Sequence, residues 1–275
     1  MTLTPRPTQP RRWTSLAIAS VTLATAAPAL AYQHRQTPPV TLSVPEARLW
    51  LVQDQGGEAG EAGITDNATS DAAYLAELLI IEGHMLAARD LYARGQAAEA
   101  VELSVHPQEE GSLAALVTDI LAHNAPDPTA AIAAFTATMQ NAAPQAEVDA
   151  ALAAVSQAFA TAAAVEDDQV RARFDAVVLL LKAAAGEYAA AIEGGTVTDA
   201  MGWHEAYSFV ALARLRMQGL AALPLSAKAA PKAAAAMDEA QAAFGDIMAP
   251  TLLAGDPEIL ASIAARVELI ASSVR

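Results

Sequence analysis

An all-α protein, folded as one up-and-down helical bundle or as two bundles in tandem, is what this sequence predicts, and three observations carry the prediction. Hydrophobic residues make up 54% of the 275-residue chain but aromatics only 5%, so the apolar content is largely alanine, the strongest helix former. From about Ser70 onward leucine and valine recur at three- and four-residue spacing, and β-branched runs are scarce. The alternation of strands with helices that a parallel sheet requires is missing.

The N-terminus comes first and stands apart. Arg6, Arg11 and Arg12 form a basic region, SLAIASVTLATAAPAL an apolar core, and Ala29-Leu30-Ala31 a small-residue cleavage site, so residues 1–31 are expected to be a signal peptide cleaved after Ala31. The apolar core is shorter than the roughly 20 residues that span a bilayer. No later segment is both long and apolar enough to cross, so no membrane span is expected after signal removal. The general secretory route and a periplasmic location follow. The chain has no cysteine, which excludes a lipoprotein anchor, disulfides, thiolate ligands and cysteine nucleophiles. The fold must therefore rest on its core alone. The formal charge is -15, and loss of three arginines with the signal makes the mature chain more acidic still. Such a surface disfavours nucleic acid and anionic lipid, where Lys and Arg do the binding. It suits a cationic ligand, and it equally serves solubility.

Residues 32–68 read as a flexible tether, polar and rich in Pro, Gly, Asp and Glu, around a short apolar island at Trp50. An N-terminal helical bundle is expected over 69–165 and a C-terminal one over 166–275. In the first, Ser70 or Asp71 is placed to cap a helix running to Arg94, with Gly95 as its left-handed stop. A short helix is expected over 97–104, and Pro107 at the first position of the next, which runs to about His123. The break NAPDPT precedes helices near 128–140 and 145–164. In the second bundle helices are expected near 168–193, 199–219, 228–247 and 256–273, separated by EGGTV, LPLS and APTLLAGDP.

The least ordinary stretch is EGHMLAARDLYARGQAAEAVELSVHPQEE, with His84 near one end and His106 near the other. On a helix, Glu77 and His84 lie seven apart and share a face. That is half of a metal site, and equally a buried histidine held by its own acceptor. His106 precedes Glu109 and Glu110. In the first turn of a helix begun at Pro107 these acids are favoured by the helix dipole without any ligand. If His106 turns towards His84, neutral imidazoles with carboxylates suit zinc, copper or iron. Glu187, His204 and Glu205 form a second candidate set, although His204 and Glu205 are adjacent on a helix and do not readily face one point. His123, near a helix end, and the run Glu166-Asp167-Asp168 have ordinary explanations as dipole partner and solvated helix start. No phosphate loop, nucleophile elbow or His-Glu-x-x-His helix occurs.

The pattern Gly83-His84, Leu91-Tyr92, Gly95, Ala100 and His106-Pro107 with Glu109-Glu110 resembles a family of exported helical bacterial proteins without a characterised function. The His-x-x-Glu element is also similar to imelysin-like and periplasmic iron-uptake proteins, whose helical bundles use it to bind metal. Ser104 stands where the full imelysin motif has glycine. A second stretch, EYAAAIEGGTVTDAMGWHEAYSFV, resembles periplasmic segments of bacterial iron permeases through Glu187-Tyr188, Gly195, Val197, Glu205 and Phe209. Gly202-Trp203 replaces the Glu-Tyr that usually opens their second helix.

Together these features support an exported soluble helical protein that binds a transition metal ion, iron or copper, through His84, His106, Glu109, Glu110 and Glu77. Its expected partner is an envelope metal transporter or another periplasmic protein. The alternative is an interaction scaffold of the cell envelope without metal. LAARDLYARGQAAEAVEL fits one tetratricopeptide-like hairpin, but the 34-residue period of stacked repeats is missing. A metallopeptidase of imelysin type would need a complete ligand set, a base and an open coordination position. The expectation is therefore of a protein that is not an enzyme.

Overall fold

Thr69 opens the first helix: its hydroxyl accepts the N–H of Ala72 and satisfies one of the donors a helix start leaves bare. This cap lies one residue before the expected Ser70 and two before Asp71. The computed structural model describes residues 61, 63–164, 169–250, 256 and 258–274. The expected signal peptide, the tether up to residue 60 and Glu166-Asp167-Asp168 lie outside them. The described residues all belong to one compact unit, Leu51–Arg275.

The helices are α1 (Ser70–Ala93), α2 (Ala97–Glu109), α3 (Ser112–Ala122), α4 (Thr129–Gln140), α5 (Gln145–Ala163), α6 (Val170–Ala190), α7 (Ala200–Leu220), α8 (Ala230–Phe244) and α9 (Ile259–Ala271). The fold is an all-α bundle, and the expected helices 128–140, 145–164, 168–193, 199–219, 228–247 and 256–273 all appear, with ends shifted by at most three residues. Among the described residues no helix is long and apolar enough to cross a membrane. EGGTV is more than a break. Ile192–Glu193 (β1) pairs antiparallel with Thr196–Val197 (β2) around Gly194 and Gly195, whose φ of 58° and 81° supply the two positive values a tight hairpin needs.

Gly95 ends α1 as expected. With φ at 81° it lets the Gln96 N–H reach back to the Leu91 carbonyl and its own N–H to that of Tyr92, which closes the helix end. The next stretch departs from expectation. Pro107 does not start a helix; it lies inside α2, which runs on to Glu109. Proline is tolerated there because it sits in the last turn, where one missing N–H costs a single ladder bond, and its ring is buried. The stop is Gly111, with φ at 84°, and α3 follows at once. Glu109 and Glu110 therefore stand at the C-terminal end of a helix, where the dipole disfavours carboxylates. The capping explanation for these acids fails.

Two hydrophobic clusters fill the unit. One is built mainly from α1 to α5, with Leu91, Leu116, Phe135 and Phe159 fully buried. The other is built from α6 to α9, where Tyr188, Trp203 and Phe244 pack ring against ring at 5.0–5.5 Å. Helix α1 contributes to both, since it packs against α2 and α5 on one side and α6 and α7 on the other. Its contact with α7 is close. A methyl group added at Gly83 would stand 2.4 Å from a ring carbon of the buried Phe209, far inside van der Waals contact.

Gly83→Ala is expected to destabilise the fold by about 1–3 kcal/mol, the usual cost of overpacking a filled interior. Adding Phe209→Leu should relieve part of that loss, so the two changes together cost less than their sum. Urea denaturation of the two single variants and the double variant measures the coupling.

Candidate metal centre

His84 lies in the middle of α1, and its Nδ1 sits 2.9 Å from the Ile80 carbonyl oxygen one turn earlier. A carbonyl only accepts, so Nδ1 carries the proton and Nε2 is left facing inward. Phe209 stands edge-on to the ring at 5.4 Å and fixes its plane. His106, on α2, brings its imidazole to 5.5 Å from that of His84. From α7 comes Glu205, whose Oε1 lies 3.3 Å from Nε2 of His84 and 3.7 Å from Nε2 of His106. One donor atom from each of these three residues falls within 4.8 Å of the other two. Ligands bound to one ion at about 2.0–2.2 Å stand about 3–4 Å apart, so the three need only small adjustments to share one.

Two further carboxylates complete the wall. Glu110, one turn beyond His106, pairs with its Nε2; the helical run through Pro107 is what puts both on one face. Glu61, from the turn before α1, places Oε1 3.5 Å from Nε2 of His84. His84 and Glu205 are each only 1% exposed. Their Nε2 and Oε1 are buried without a hydrogen bond although they face each other. Buried polar atoms left in this state cost about 1–3 kcal/mol each, and either a proton on Nε2 or a metal cation between the two would satisfy both.

The structure sorts the residues singled out in the sequence. It brings together His84, His106 and Glu110 and adds Glu205 from the second set. Glu109 is exposed. Glu77 lines a cleft beside the centre together with Glu61 and Glu110; burial and the nearby Asp119 hold its carboxyl above the usual range, against a hydrogen bond from Thr65. His204 and Glu205 are both buried, and they diverge as neighbours on a helix must. Burial holds the His204 imidazole below its ordinary pKa, opposed by Glu205, Glu99 and Asp199. Glu187, near the end of α6, is buried against the start of α7, where its carboxylate and that of Asp199 each lie 3.2 Å from the place a Cβ on Gly202 would take. That crowding accounts for glycine at 202. Among the described residues no three ligating groups converge on Glu187 and His204. His123 stacks on Tyr74 at 4.2 Å and bonds the Asp119 carbonyl.

Sequence reasoning missed Glu61. In the run QGGEAGEAG nothing separates it from Glu58, and only the folded turn does. Ile64 N–H bonds the Glu61 carbonyl and Ile64 packs on the core, which brings the turn onto α1.

Fold and site together define a helical bundle with a buried centre of two imidazoles and several carboxylates. Residues 163–274 match the family model of the iron permease-associated 4-helix bundle domain, so the likeness to iron-permease segments noted at 187–210 extends over α6 to α9. No curated protein and no solved structure matches the chain. Glu205 lies within the matched span, whereas His84, His106, Glu110 and Glu61 precede it.

Electrostatics set the charge state of the centre. Burial pushes the His84 imidazole down, but Glu61 and Glu205, with the Ile80 carbonyl, outweigh it and raise its pKa from 6.5 to about 10. The folded value lies above the unfolded one, so this charge stabilises the fold fully below pH 6.5 and the contribution is lost as pH rises through about 10. The stability difference between metal-free wild type and His84→Gln should therefore shrink between those pH values, as measured by denaturant midpoints across the range.

Proposed function

We propose that this protein is an exported metal-binding accessory of iron uptake, acting in the periplasm beside an envelope iron transporter. The observation that carries the proposal is the meeting of Nε2 of His84 with Oε1 of Glu205, both buried and without a hydrogen bond, within ligand reach of Nε2 of His106. Two neutral imidazoles and a carboxylate form the donor set of non-haem ferrous centres. With Glu110 and Glu61 beside them the pocket is rich in hard oxygen donors, which favours iron over cuprous ion, a taker of thiolates and thioethers. The iron permease-associated match over 163–274 supports iron as cargo and an iron transporter as partner. The N-terminal Arg-bearing apolar segment supports export.

Nothing in the proposal requires chemistry on a substrate. His84 orients its lone pair through the Ile80 carbonyl, a backbone anchor of the kind that fixes tautomer and ring plane in metal sites. Metal must displace the proton that His84 carries, so binding is expected to release a proton and to strengthen as pH rises.

The tag-free mature chain is expected to bind one equivalent of ferrous ion under anaerobic calorimetry, with a heat that varies between buffers of different ionisation enthalpy. Substituting His84 and His106 together by alanine should abolish binding, and Glu205→Gln should weaken it about tenfold or more, a loss that even outer-shell partners of metal sites can produce. Absence of heat with ferrous, ferric, cupric and zinc ions alike would overturn the proposal.

A further inference from the structure

A centre formed by side chains as buried as His84 and Glu205 needs a way in, and the surface around α1 offers several clefts of different charge. One is lined by Arg173, Arg216 and Glu82, which pairs with Arg216, beside Leu75 and Phe159. A second carries Arg89 and Arg216 with Asp149. A third, of about 400 Å³, lies between the 63–68 turn, α1 and the start of α3. Its walls carry Glu61, Glu77 and Glu110 with Thr65 and Ser112, and no basic residue among the described residues.

Two of those carboxylates are also the wall of the metal centre. Glu61 faces Nε2 of His84 and Glu110 pairs with Nε2 of His106. The inner end of this cleft and the outer side of the centre are therefore the same residues. Glu77 belongs to the cleft alone. It sits on the α1 face that leads through Ile80 to His84, at positions i, i+3 and i+7, and Asp119 of α3 adds negative charge nearby. A half-buried carboxylate placed between solvent and a buried donor set is suited to hold a cation briefly while its water shell is exchanged for protein ligands. In the other two clefts the carboxylates Glu82 and Asp149 are already paired with Arg216 and Arg89 and offer a cation no such hold.

We propose that this cleft is the inlet through which a metal cation reaches the centre, with Glu77 as its transit ligand. The inference rests on the metal-binding function proposed above and adds the route and the residue that serves it. A transit ligand stabilises the path and not the end state. Its removal slows loading and release by the same factor and leaves the affinity unchanged.

Cobalt(II) is a suitable probe, because its visible bands report ligation by imidazole and carboxylate. Stopped-flow mixing with the full mature chain is expected to show loading of Glu77→Gln slowed about three- to tenfold, the lower end of the gain a charged cleft gives to association. The slowed rate should depend less on salt. Chelator chase should show release slowed equally, the equilibrium titration should stay within about twofold of wild type, and Glu77→Asp should recover most of the loading rate. Unchanged loading by Glu77→Gln overturns the inlet, as does weakened affinity with an unchanged loading rate, which would make Glu77 a ligand of the bound state. Wild type that develops no cobalt bands at any concentration overturns the metal-binding function itself, and the inlet with it.

Discussion

The close crossing of α1 and α7 at Gly83 and Phe209 is the contact on which the rest of the centre depends. Hydrogen in place of a side chain at 83 lets the Phe209 ring lie against the α1 backbone, where any Cβ would collide with it. That approach sets the distance between the two helices. One residue along α1 is His84, and one turn back along α7 is Glu205, so the same contact brings an imidazole and a carboxylate face to face at 3.3 Å. The Phe209 ring then holds the imidazole edge-on. A wider crossing would leave room for water between the two groups, and the centre would become an ordinary solvated pair.

Burying several carboxylates in one place is costly unless something positive accompanies them. His84 supplies that charge, which is why its pKa is raised so far despite complete burial. Under the proposed function a proton and a metal ion are alternative occupants of the same electrostatic well, and loading is an exchange of one for the other. The same economy explains α2. By running through Pro107 to Glu109, the helix places Glu110 one turn from His106 and beside its imidazole, at a helix end where a lone carboxylate would be unfavourable.

Much of the fold was legible in the sequence. Alanine content with leucine spacing located most helices to within a few residues, and Gly95 marked the end of α1 because only a positive φ closes that turn. The misreading at Pro107 came from a true tendency, since proline favours a first turn. Burial of the ring and the position of Gly111 overrode it. Of the centre, His84, His106 and Glu110 stood out because they crowd one unusual stretch. Glu205 stood out too, but in a separate set with His204 and Glu187. Its partners lie about a hundred residues away in sequence, and no local pattern records that. Glu61 carried no signal, being one of several acids in a Gly-rich run.

The sequence by itself determined that this chain is helical, where most of its helices begin and end, and which histidines have no simple place in a turn. These are local properties, set by backbone preference and by the period of apolar residues along a few turns. Only the tertiary structure decided which carboxylates those histidines meet. That depends on how near two helices can approach and how a preceding turn folds over them, and both are set by packing between residues far apart in the chain.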